Sequence, residues 1–499
     1  MADDSDDPVV TNPTYMGQVR FFFRQIDIDH MAPKGFDLAT YAGVKRQALA
    51  IYAHTAPTSD MPPDAEGKWS ANRRQTFLNW IMQNYPMGVA EPDIAVAPPQ
   101  GEPLSTTRVR KAITALTPAE IETLKTAFRG LMARDPAQAD SYYAIAAIHG
   151  LPQQWCSHHI DQYNPWHRVY LKTFEDALRS VPGCEAVTLP YWDILTPIPP
   201  VLQEEPFASY VLPMDPGAAA HPPQPGVFFP YATSRYSPEE LSENVAAFDL
   251  AGDIATSKIQ TVWGAFNTNG YQDFSIQAHD GGHLSIGPTM AAQEVASYDP
   301  IFWLFHCNLD RLWWRWQEAV KATTLAGFKS TITSGDLTWL DGPAPLNSLQ
   351  PFNQTTAESL DMEISYEDEA VATPVSFENA LGSMEAARSF SIRRSTPVSV
   401  RVKDIARLRI PGSFVVRLMA DGETIAKRAF FQPDAPQNCP TCVANALVNI
   451  DFRLDAEQLL DKTLSVGIEV PSHREMGERF PLSEAGNPSV NVRFLLHDQ

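Results

Sequence analysis

The histidines of this chain are concentrated in its middle, at spacings that suit a shared metal. Eight of the twelve histidines fall in the stretch that begins at His149 and ends before residue 307. His149, His158 and His167 follow one another at intervals of nine residues, and His279 and His283 form an H-x-x-x-H pair, which shares one face of a helix. Several neutral imidazoles in one apolar core need partners, and imidazole is a common metal ligand, so the pattern favours a metal site.

Three predicted helices would position these side chains. Thr117-Pro118-Ala119-Glu120 has the form of a capping box and precedes apolar residues at helical spacing. Asn164-Pro165 opens a helix whose apolar stripe contains His167, and Asp299-Pro300 opens another whose stripe contains His306. Because a residue on an apolar stripe points into the core, both imidazoles are expected to lie inside the protein.

The types of candidate ligand limit which metals the site could bind. A set of imidazoles without a thiolate or an obvious carboxylate suits copper, zinc, iron or nickel better than magnesium, calcium or manganese. His159 is adjacent to His158 and competes with it for a place among the ligands. The sequence lacks H-E-x-x-H, G-x-S-x-G and Walker A motifs, so metalloprotease, serine hydrolase and nucleotide-dependent activities have no support.

Three segments resemble the tyrosinase and polyphenol oxidase family of type 3 dicopper proteins. CSHHIDQYNPWHRVYLKTFEDAL resembles the family's first copper motif, DPIFWLFHCNLDRLWWRW resembles the second, and LPYWD resembles a segment between them. The resemblance implies two copper ions with three histidines each: His149, His158 and His167 on the first, and His279, His283 and His306 on the second.

The resemblance implies an oxidase that uses O2 to convert o-diphenols, and monophenols such as tyrosine, to o-quinones, with the substrate ring stacked on His283. Alternatives are a catechol oxidase or o-aminophenol oxidase without monophenol hydroxylation and, remotely, a hemocyanin-like O2 carrier. Hydroxylation is in question because Asp280 follows the fourth ligand, where hydroxylating members often have Asn, and no matching Glu lies between Thr261 and His279. Asp280 is therefore a candidate catalytic base.

Two residues of the third helix are expected to support the ligands. Asp310 lies one turn beyond His306, where it either accepts a hydrogen bond close to the ligands or forms an ion pair with Arg168 or Arg311. Phe302 lies one turn before His306 on the same face.

The five cysteines predict no disulfide framework, and their odd number favours individual thiol chemistry over pairing. Cys156 lies two residues before His158, the spacing at which fungal relatives join the two by a thioether; the alternative is a small buried thiol. Cys439 and Cys442 form a C-x-x-C pair, and in fungal zymogens of the family a similar pair helps to load copper.

The chain changes in character after about residue 370. Residues 1–370 are predicted to form a mainly α catalytic domain, a helical bundle around the dicopper site, and residues 371–388 a linker. Residues 389–499 contain short β-branched runs that predict an antiparallel β-sandwich or barrel, a C-terminal lid domain. In fungal zymogens a Phe upstream of the cysteine pair plugs the active site. Phe430 stands at that offset here and is followed by Phe431, and the two are candidate plugs or ordinary core aromatics.

Charge is distributed unevenly between these regions. From Glu385 onward the chain has 15 basic and 14 acidic residues, which leaves 23 basic and 45 acidic residues before it. A nearly neutral lid would be held on such an acidic body by electrostatic attraction, which salt and acid both weaken. We therefore expect acidification, detergent or proteolysis between residues 370 and 390 to raise activity.

Composition also indicates which classes of partner to expect. The net charge of −21 disfavours nucleic acid, and no apolar run is long enough for a membrane helix. The acidic N-terminus, MADDSDDPVV, lacks the features of a secretory signal, so a cytoplasmic location is expected. The expected partners are a phenolic substrate and O2; a copper donor protein and self-association are compatible with the sequence.

Overall fold

The computed structural model describes all six predicted ligands. The described residues are 8–15, 17–31, 34, 36, 38, 41–56, 68–83, 85–87, 108–150, 155–213, 230–264, 270–333, 337–360, 362–367, 397–471 and 479–494. The predicted linker, residues 371–388, lies outside these ranges. The chain divides into one unit of Met1–Glu102 with Gln350–Asn353 and a second of Pro103–Leu349 with Gln354–Gln499. The boundary proposed from the sequence therefore stays a prediction.

The first unit contains three helices around aromatic side chains. They are α1 (Gln25–Met31), α2 (Tyr41–His54) and α3 (Ala71–Met82). The Ser70 side chain caps α3 by accepting a hydrogen bond from the Arg73 N–H at 2.9 Å. Trp80 is fully buried, and its indole N–H donates to the Pro86 carbonyl at 2.8 Å, so its one polar atom is satisfied inside the core.

The second unit begins with a helical region that holds all six histidines. Its helices are α4 (Pro118–Met132), α5 (Tyr142–Ala147), α6 (Tyr163–Arg179), α7 (Pro238–Ala247), α8 (Leu250–Lys258), α9 (Tyr271–Ile286), α10 (Ile301–Ala319), α11 (Leu325–Lys329), α12 (Thr338–Asp341) and α13 (Ala344–Asn347). Its short strands are β1 (Arg108–Arg110), β2 (Val211–Leu212), β3 (Tyr231–Ala232) and β4 (Ile364–Tyr366), paired β1 with β4 and β2 with β3. The three predicted helices are confirmed as α4, α6 and α10.

Local sequence explains where these helices begin and how closely they pack. The capping box of α4 is present in full, with Thr117 and Glu120 exchanging hydrogen bonds. In α9, Gly281 and Gly282 cost about 2 kcal/mol of helix propensity relative to alanine. Both positions require glycine because the neighbouring side chains pack closely against them. A Cβ at Gly282 would lie 2.3 Å from a ring carbon of Phe305, and one at Gly281 would lie 2.6 Å from Leu250. Only glycine lets α9 approach its neighbours this closely.

The second unit ends in two antiparallel sheets that share one apolar core. The strands are β5 (Pro397–Ala406), β6 (Phe414–Ala420), β7 (Glu423–Phe430), β8 (Leu447–Asp455), β9 (Leu464–Glu469), β10 (Arg479–Phe480) and β11 (Ser489–Phe494). One sheet has the order β10-β9-β6-β7 and the other β11-β5-β8, and α14 (Pro440–Ala444) lies between β7 and β8 in sequence. Buried side chains of both sheets form a single cluster. The predicted fold class, a helical region followed by a β-sandwich, is confirmed.

The sandwich packs on the helical region through β7, which contacts α9. Arg428 of β7 is buried next to the start of α8, 3.2 Å from an oxygen of Asp253 and 3.3 Å from one of Asp249. The guanidinium of Arg453 lies 4.1 Å above the ring of Phe274. Basic side chains of the sandwich thus face acidic and aromatic side chains of the helices. No helix within the described ranges is long and apolar enough to cross a bilayer.

Candidate metal centre

The six predicted ligands come from separate elements and meet in one buried cluster. His149 follows α5, and His158 lies in the loop before α6, which carries His167. Helix α9 carries both His279 and His283, and α10 carries His306. All six side chains are buried.

Ring distances are short enough for shared metal ions. The ring of His158 lies 4.9 Å from that of His279 and 5.1 Å from that of His149, between centroids. The rings of His283 and His306 lie 5.0 Å apart. Candidate ligand atoms lie within 4.8 Å of one another in two sets made of histidine alone: His158, His167 and His279, and His279, His283 and His306. The division into three histidines per copper stays a prediction.

Burial keeps these imidazoles neutral. Loss of solvent lowers the pKa of His283 to about 3 and that of His167 to about 4. It also lowers the pKa of His149, His158, His279 and His306 well below the usual value, and neighbouring histidines act in the same direction. Neutral imidazole is the form that binds metal, so the cluster needs no deprotonation at neutral pH.

Hydrogen bonds at Nδ1 turn the Nε2 atoms toward the centre of the cluster. Nδ1 of His167, His283 and His306 bonds to the carbonyls of Tyr163 (2.8 Å), Met290 (2.7 Å) and Phe302 (2.9 Å) respectively. Because a carbonyl only accepts, each Nδ1 carries the proton and each Nε2 presents a lone pair.

The orphaned lone pairs fit metal ions. Nε2 of His283 and Nε2 of His306 approach to 3.4 Å although both are acceptors, a contact that a cation between them would stabilise. Among the described residues, Nε2 of His158, His167 and His279 has no hydrogen-bond partner. Buried polar atoms without partners are costly. An all-imidazole donor set of this kind fits copper, as it would zinc, iron or nickel.

Asp280 and His159 form a pair behind His279. One carboxylate oxygen of Asp280 lies 2.8 Å from Nδ1 of His279, and the other lies 2.8 Å from Nε2 of His159. His159 has a φ of 57°, the left-handed region that few non-glycine residues adopt, and its ring leaves the cluster that His158 joins. The competition between the adjacent histidines is thus resolved, with His158 in the cluster and His159 on the carboxylate. This arrangement orients the His279 ring.

Cys156 lies beside the cluster. Its Sγ is close to the ring nitrogens of His149 and His158, and it accepts a hydrogen bond from the Gln293 side chain at 3.0 Å. Burial raises the pKa of the Cys156 thiol, so it is protonated at neutral pH. The thioether to His158 stays a prediction. Nothing in the sequence around Gln293 pointed to this contact.

Asp310 forms ion pairs rather than contacting a ligand ring. Its carboxylate accepts a hydrogen bond from Arg168 Nε at 2.7 Å and one from the Tyr366 hydroxyl, and Arg110 lies 3.4 Å away. Arg311, the other proposed partner, instead lies 3.6 Å from Asp193. Of the alternatives left open by the sequence, the structure favours the ion pair with Arg168, the residue that follows His167.

Arg110 and Glu175 are buried members of this network that the sequence did not reveal. Both are fully buried, with an N···O distance of 3.1 Å, and Glu175 also accepts the Leu189 N–H at 2.7 Å. Arg110 stands outside the motifs found in the sequence, and Glu175 lies within the segment that resembles the first copper motif, where the resemblance implies no role for it. A charged residue at a buried position of an amphipathic helix, as Glu175 is in α6, is the one signal that could have found the pair.

Aromatic rings cover the open faces of the histidines. Phe302 stacks on His306 with centroids 3.8 Å apart. Phe431, directly after β7, stacks on His283 at 3.9 Å and 18° and lies 5.5 Å from His279. Phe430 points elsewhere and stacks on His159 at 4.2 Å. Of the two candidate plugs, Phe431 is therefore the one that reaches the cluster.

Cys439 and Cys442 are joined by a disulfide at the start of α14. Their Cα atoms lie 5.2 Å apart, within the range that a disulfide spans. For these two cysteines, the expectation of individual thiol chemistry is wrong. A disulfide offers no thiolate, so a role in copper loading stays a prediction for the reduced pair.

Comparison with known proteins identifies the region that carries the cluster. Residues 139–319 match the family described as the common central domain of tyrosinase. This region matches the tyrosinase family and is called the tyrosinase domain. The match includes all six histidines, and the resemblance to type 3 copper proteins found in the sequence is confirmed. The predicted cofactor, a pair of copper ions, agrees with both the family and the histidine clusters.

Relatives of this chain include hemocyanins as well as tyrosinases. A G-type hemocyanin (units Oda to Odg) from Enteroctopus dofleini is 31% identical over 240 residues, which cover 44% of this chain and 8% of the hemocyanin. The chain thus spans a small part of that relative.

Two solved structures show the same fold. A tyrosinase from Burkholderia thailandensis at low pH superposes with a TM-score of 0.56 and 18% identity, covering 77% of this chain and all of that one. An oxygen-bound Aspergillus oryzae pro-tyrosinase mutant has a TM-score of 0.52 and 14% identity, covering 77% of this chain and 91% of that one.

The tyrosinase domain also meets the sandwich at a buried carboxyl. Glu294 accepts a hydrogen bond from the Asp434 N–H at 2.6 Å. Burial raises the pKa of Glu294 to about 8, and the negative charge of Asp434 acts in the same direction. The folded chain therefore holds this proton more tightly than the unfolded chain, and the free energy of unfolding falls as the pH rises from about 4.5 to about 8. This effect opposes the acid loosening expected from the charge distribution.

Replacing Glu294 by Gln should flatten this pH dependence, because the amide keeps the acceptor and does not ionise. We expect the variant to have a higher melting temperature than the wild type at pH 8 and little difference at pH 5. Thermal unfolding of the full chain at both pH values measures this, with Glu243→Gln on the exposed side of α7 as the control. If the melting temperature falls equally between pH 5 and 8 in the wild type and in Glu294→Gln, then ionisation of Glu294 does not cause the loss of stability.

Proposed function

We propose that the chain is a dicopper phenol oxidase that converts o-diphenols to o-quinones with O2 and is kept latent by its C-terminal β-sandwich. The observation that carries the proposal is the buried Phe431 ring, stacked on His283 at 3.9 Å. The pocket beside the histidines therefore accepts a planar six-membered ring, the shape of a phenol. The same ring blocks that pocket while the sandwich is docked.

The chain's own side chains would prepare this reaction in three ways. The six histidines would hold two copper ions, which supply the redox chemistry that passes electrons from the phenol to O2. His283 would offer a ring face on which the substrate stacks. Phe302 and the surrounding apolar side chains keep water away from the histidines. Two catechols would lose four electrons and four protons in all, and one O2 would leave as two water molecules.

Monophenol hydroxylation is a separate activity from diphenol oxidation at the proposed site. Asp280 is not free to act on a phenol in the docked state, since both of its oxygens accept hydrogen bonds or pair with histidine. Oxidation of diphenols needs no hydroxylation step and is the activity that we expect first. Oxidation of o-aminophenols at the same site is a variant that substrate assays would distinguish.

A second candidate function is reversible O2 carriage, favoured by the 31% identity to an octopus hemocyanin. A carrier needs access for O2 alone, and a pocket large enough for an aromatic ring is unnecessary for that task. We therefore rank the oxidase first.

Catechol oxidation by the copper-loaded full chain, measured with and without detergent to displace the sandwich, tests the proposal. We expect slow oxidation that detergent raises, with two copper ions per chain. Reversible O2 uptake without quinone formation, in both conditions, would instead support the carrier. The copper content separates failure of the metal site from absence of turnover.

A further inference from the structure

Phe431 is fixed at two points, and the second point is a carboxylate. Its ring stacks on His283 at 3.9 Å, while its backbone N–H donates to an oxygen of Asp280 at 3.1 Å. In a phenylalanine residue the backbone nitrogen is attached two carbons from the ring. The docked sandwich therefore presents an aromatic ring and a nitrogen donor in the covalent arrangement of an arylethylamine.

Both anchors lie beside His279, whose ring centroid is 4.4 Å from that of His283. Asp280 contacts the Nδ1 edge of that imidazole at 2.8 Å, whereas Nε2, the atom left for a metal, is on another edge. The Phe431 ring extends past this carboxylate toward the cluster, 5.4 Å from His158 and 5.5 Å from His279. The ring end of the arylethylamine thus lies among the histidines, and its nitrogen end lies at the carboxylate.

Displacing the sandwich would leave a vacant acceptor at Asp280. One oxygen of Asp280 bonds to His279 and the other bonds to His159, and both histidines belong to the helical region. The Phe431 N–H is the third partner, and it comes from the sandwich. A carboxylate with two oxygens has more lone pairs than the histidines use, so one position opens when Phe431 leaves. That position lies next to the space left by the Phe431 ring, and a charged donor forms a stronger hydrogen bond to a carboxylate than a neutral one does.

We propose that Asp280 binds the ammonium group of the substrate, so that the preferred substrates are phenols with an aminoethyl arm. The inference deepens the proposed oxidase function and rests on it. In this pose the phenol oxygens lie at the far end of the ring from Asp280, next to the histidines. Asp280 then serves recognition of the amine, rather than the removal of a phenol proton suggested by the sequence.

Three catechols that differ only in the end of the side arm test the proposal. Dopamine carries an ammonium, hydroxytyrosol a neutral hydroxyl, and dihydrocaffeic acid a carboxylate. Using diphenols makes the test independent of monophenol hydroxylation. In the copper-loaded full chain, the ratio of kcat/KM values between two substrates is unaffected by the fraction of molecules with a displaced sandwich, because that fraction multiplies both.

We expect kcat/KM to fall in the order dopamine, hydroxytyrosol, dihydrocaffeic acid, with dopamine at least about tenfold above hydroxytyrosol, as for a hydrogen bond to a charged group. Asp280→Asn should reduce that ratio to within about threefold of one. Asp273→Asn removes one charge from the same helix α9 and should keep the wild-type ratio, which separates local recognition from the general attraction of an acidic protein for cations.

A second readout does not depend on turnover. Phenethylamine and 2-phenylethanol lack phenol oxygens, and their dissociation constants for the full chain can be measured by calorimetry in the presence of detergent. We expect phenethylamine to bind at least about tenfold more tightly. Equal binding of the two, or a wild-type kcat/KM for hydroxytyrosol equal to or above that for dopamine, would overturn the assignment even if Asp280→Asn does not fold. If no catechol is oxidised, the proposed function fails, while the binding comparison still decides the role of Asp280.

Discussion

Replacing His306 by alanine should abolish oxidation of catechol and lower the copper content from two ions per chain to one or none. His306 lies on α10 with its Nδ1 fixed by the Phe302 carbonyl and its Nε2 3.4 Å from that of His283. Outer partners of metal ligands typically contribute 10- to 100-fold to metal affinity or activity, so loss of a ligand should exceed about 100-fold. Copper analysis and catechol oxidation on the purified full chain measure both effects.

Cys307→Ala provides the matched control for this substitution. Cys307 is the next residue of α10 and equally buried, but its Sγ is directed to the Leu189 carbonyl at 3.3 Å instead of the cluster. The control variant should keep both copper ions. Two copper ions bound to His306→Ala, or retained oxidation, would show that His306 is not a ligand.

The positions of the helices were predictable because each is specified by nearby residues. The capping box at Thr117 and Glu120 and the Pro after Asn164 and Asp299 act within one helical turn, so the sequence contains the whole signal. The strands of the sandwich were likewise readable from short β-branched runs. What remained open was whether those strands close into a barrel or form two sheets, since that depends on pairing between distant segments.

The candidate site was predictable in its histidines and unpredictable in its surroundings. The family resemblance supplied the six ligand positions. The contact of Asp280 with His159, 121 residues away, depends on a left-handed turn at His159 that no residue type demands there. Likewise the sequence left Phe430 and Phe431 equivalent, because neighbouring residues at the end of a strand point to opposite faces and only the docked structure shows which face meets the cluster.

Replacing Phe431 by alanine should convert the latent chain into one that oxidises catechol without detergent. The ring is fully buried against His283, and removing a buried Phe side chain typically costs about 3 kcal/mol or more. Because that loss falls on the docked state alone, it corresponds to about a hundredfold increase in the ratio of displaced to docked molecules. The measurement is the ratio of catechol oxidation without detergent to oxidation with detergent, which we expect to approach one in the variant.

Phe430→Ala is the control, since it removes the same side chain one residue earlier. The Phe430 ring stacks on Phe414 within the sandwich at 4.9 Å and on His159 at 4.2 Å, so its loss should lower the melting temperature and leave the face of His283 covered. The two variants then separate a plug from a general loss of stability. Greater activation by Phe430→Ala than by Phe431→Ala would mean that docking strength, and not the ring on His283, keeps the enzyme latent. Activation by neither variant, while detergent still activates both, would mean that the docked sandwich limits access without the Phe431 ring.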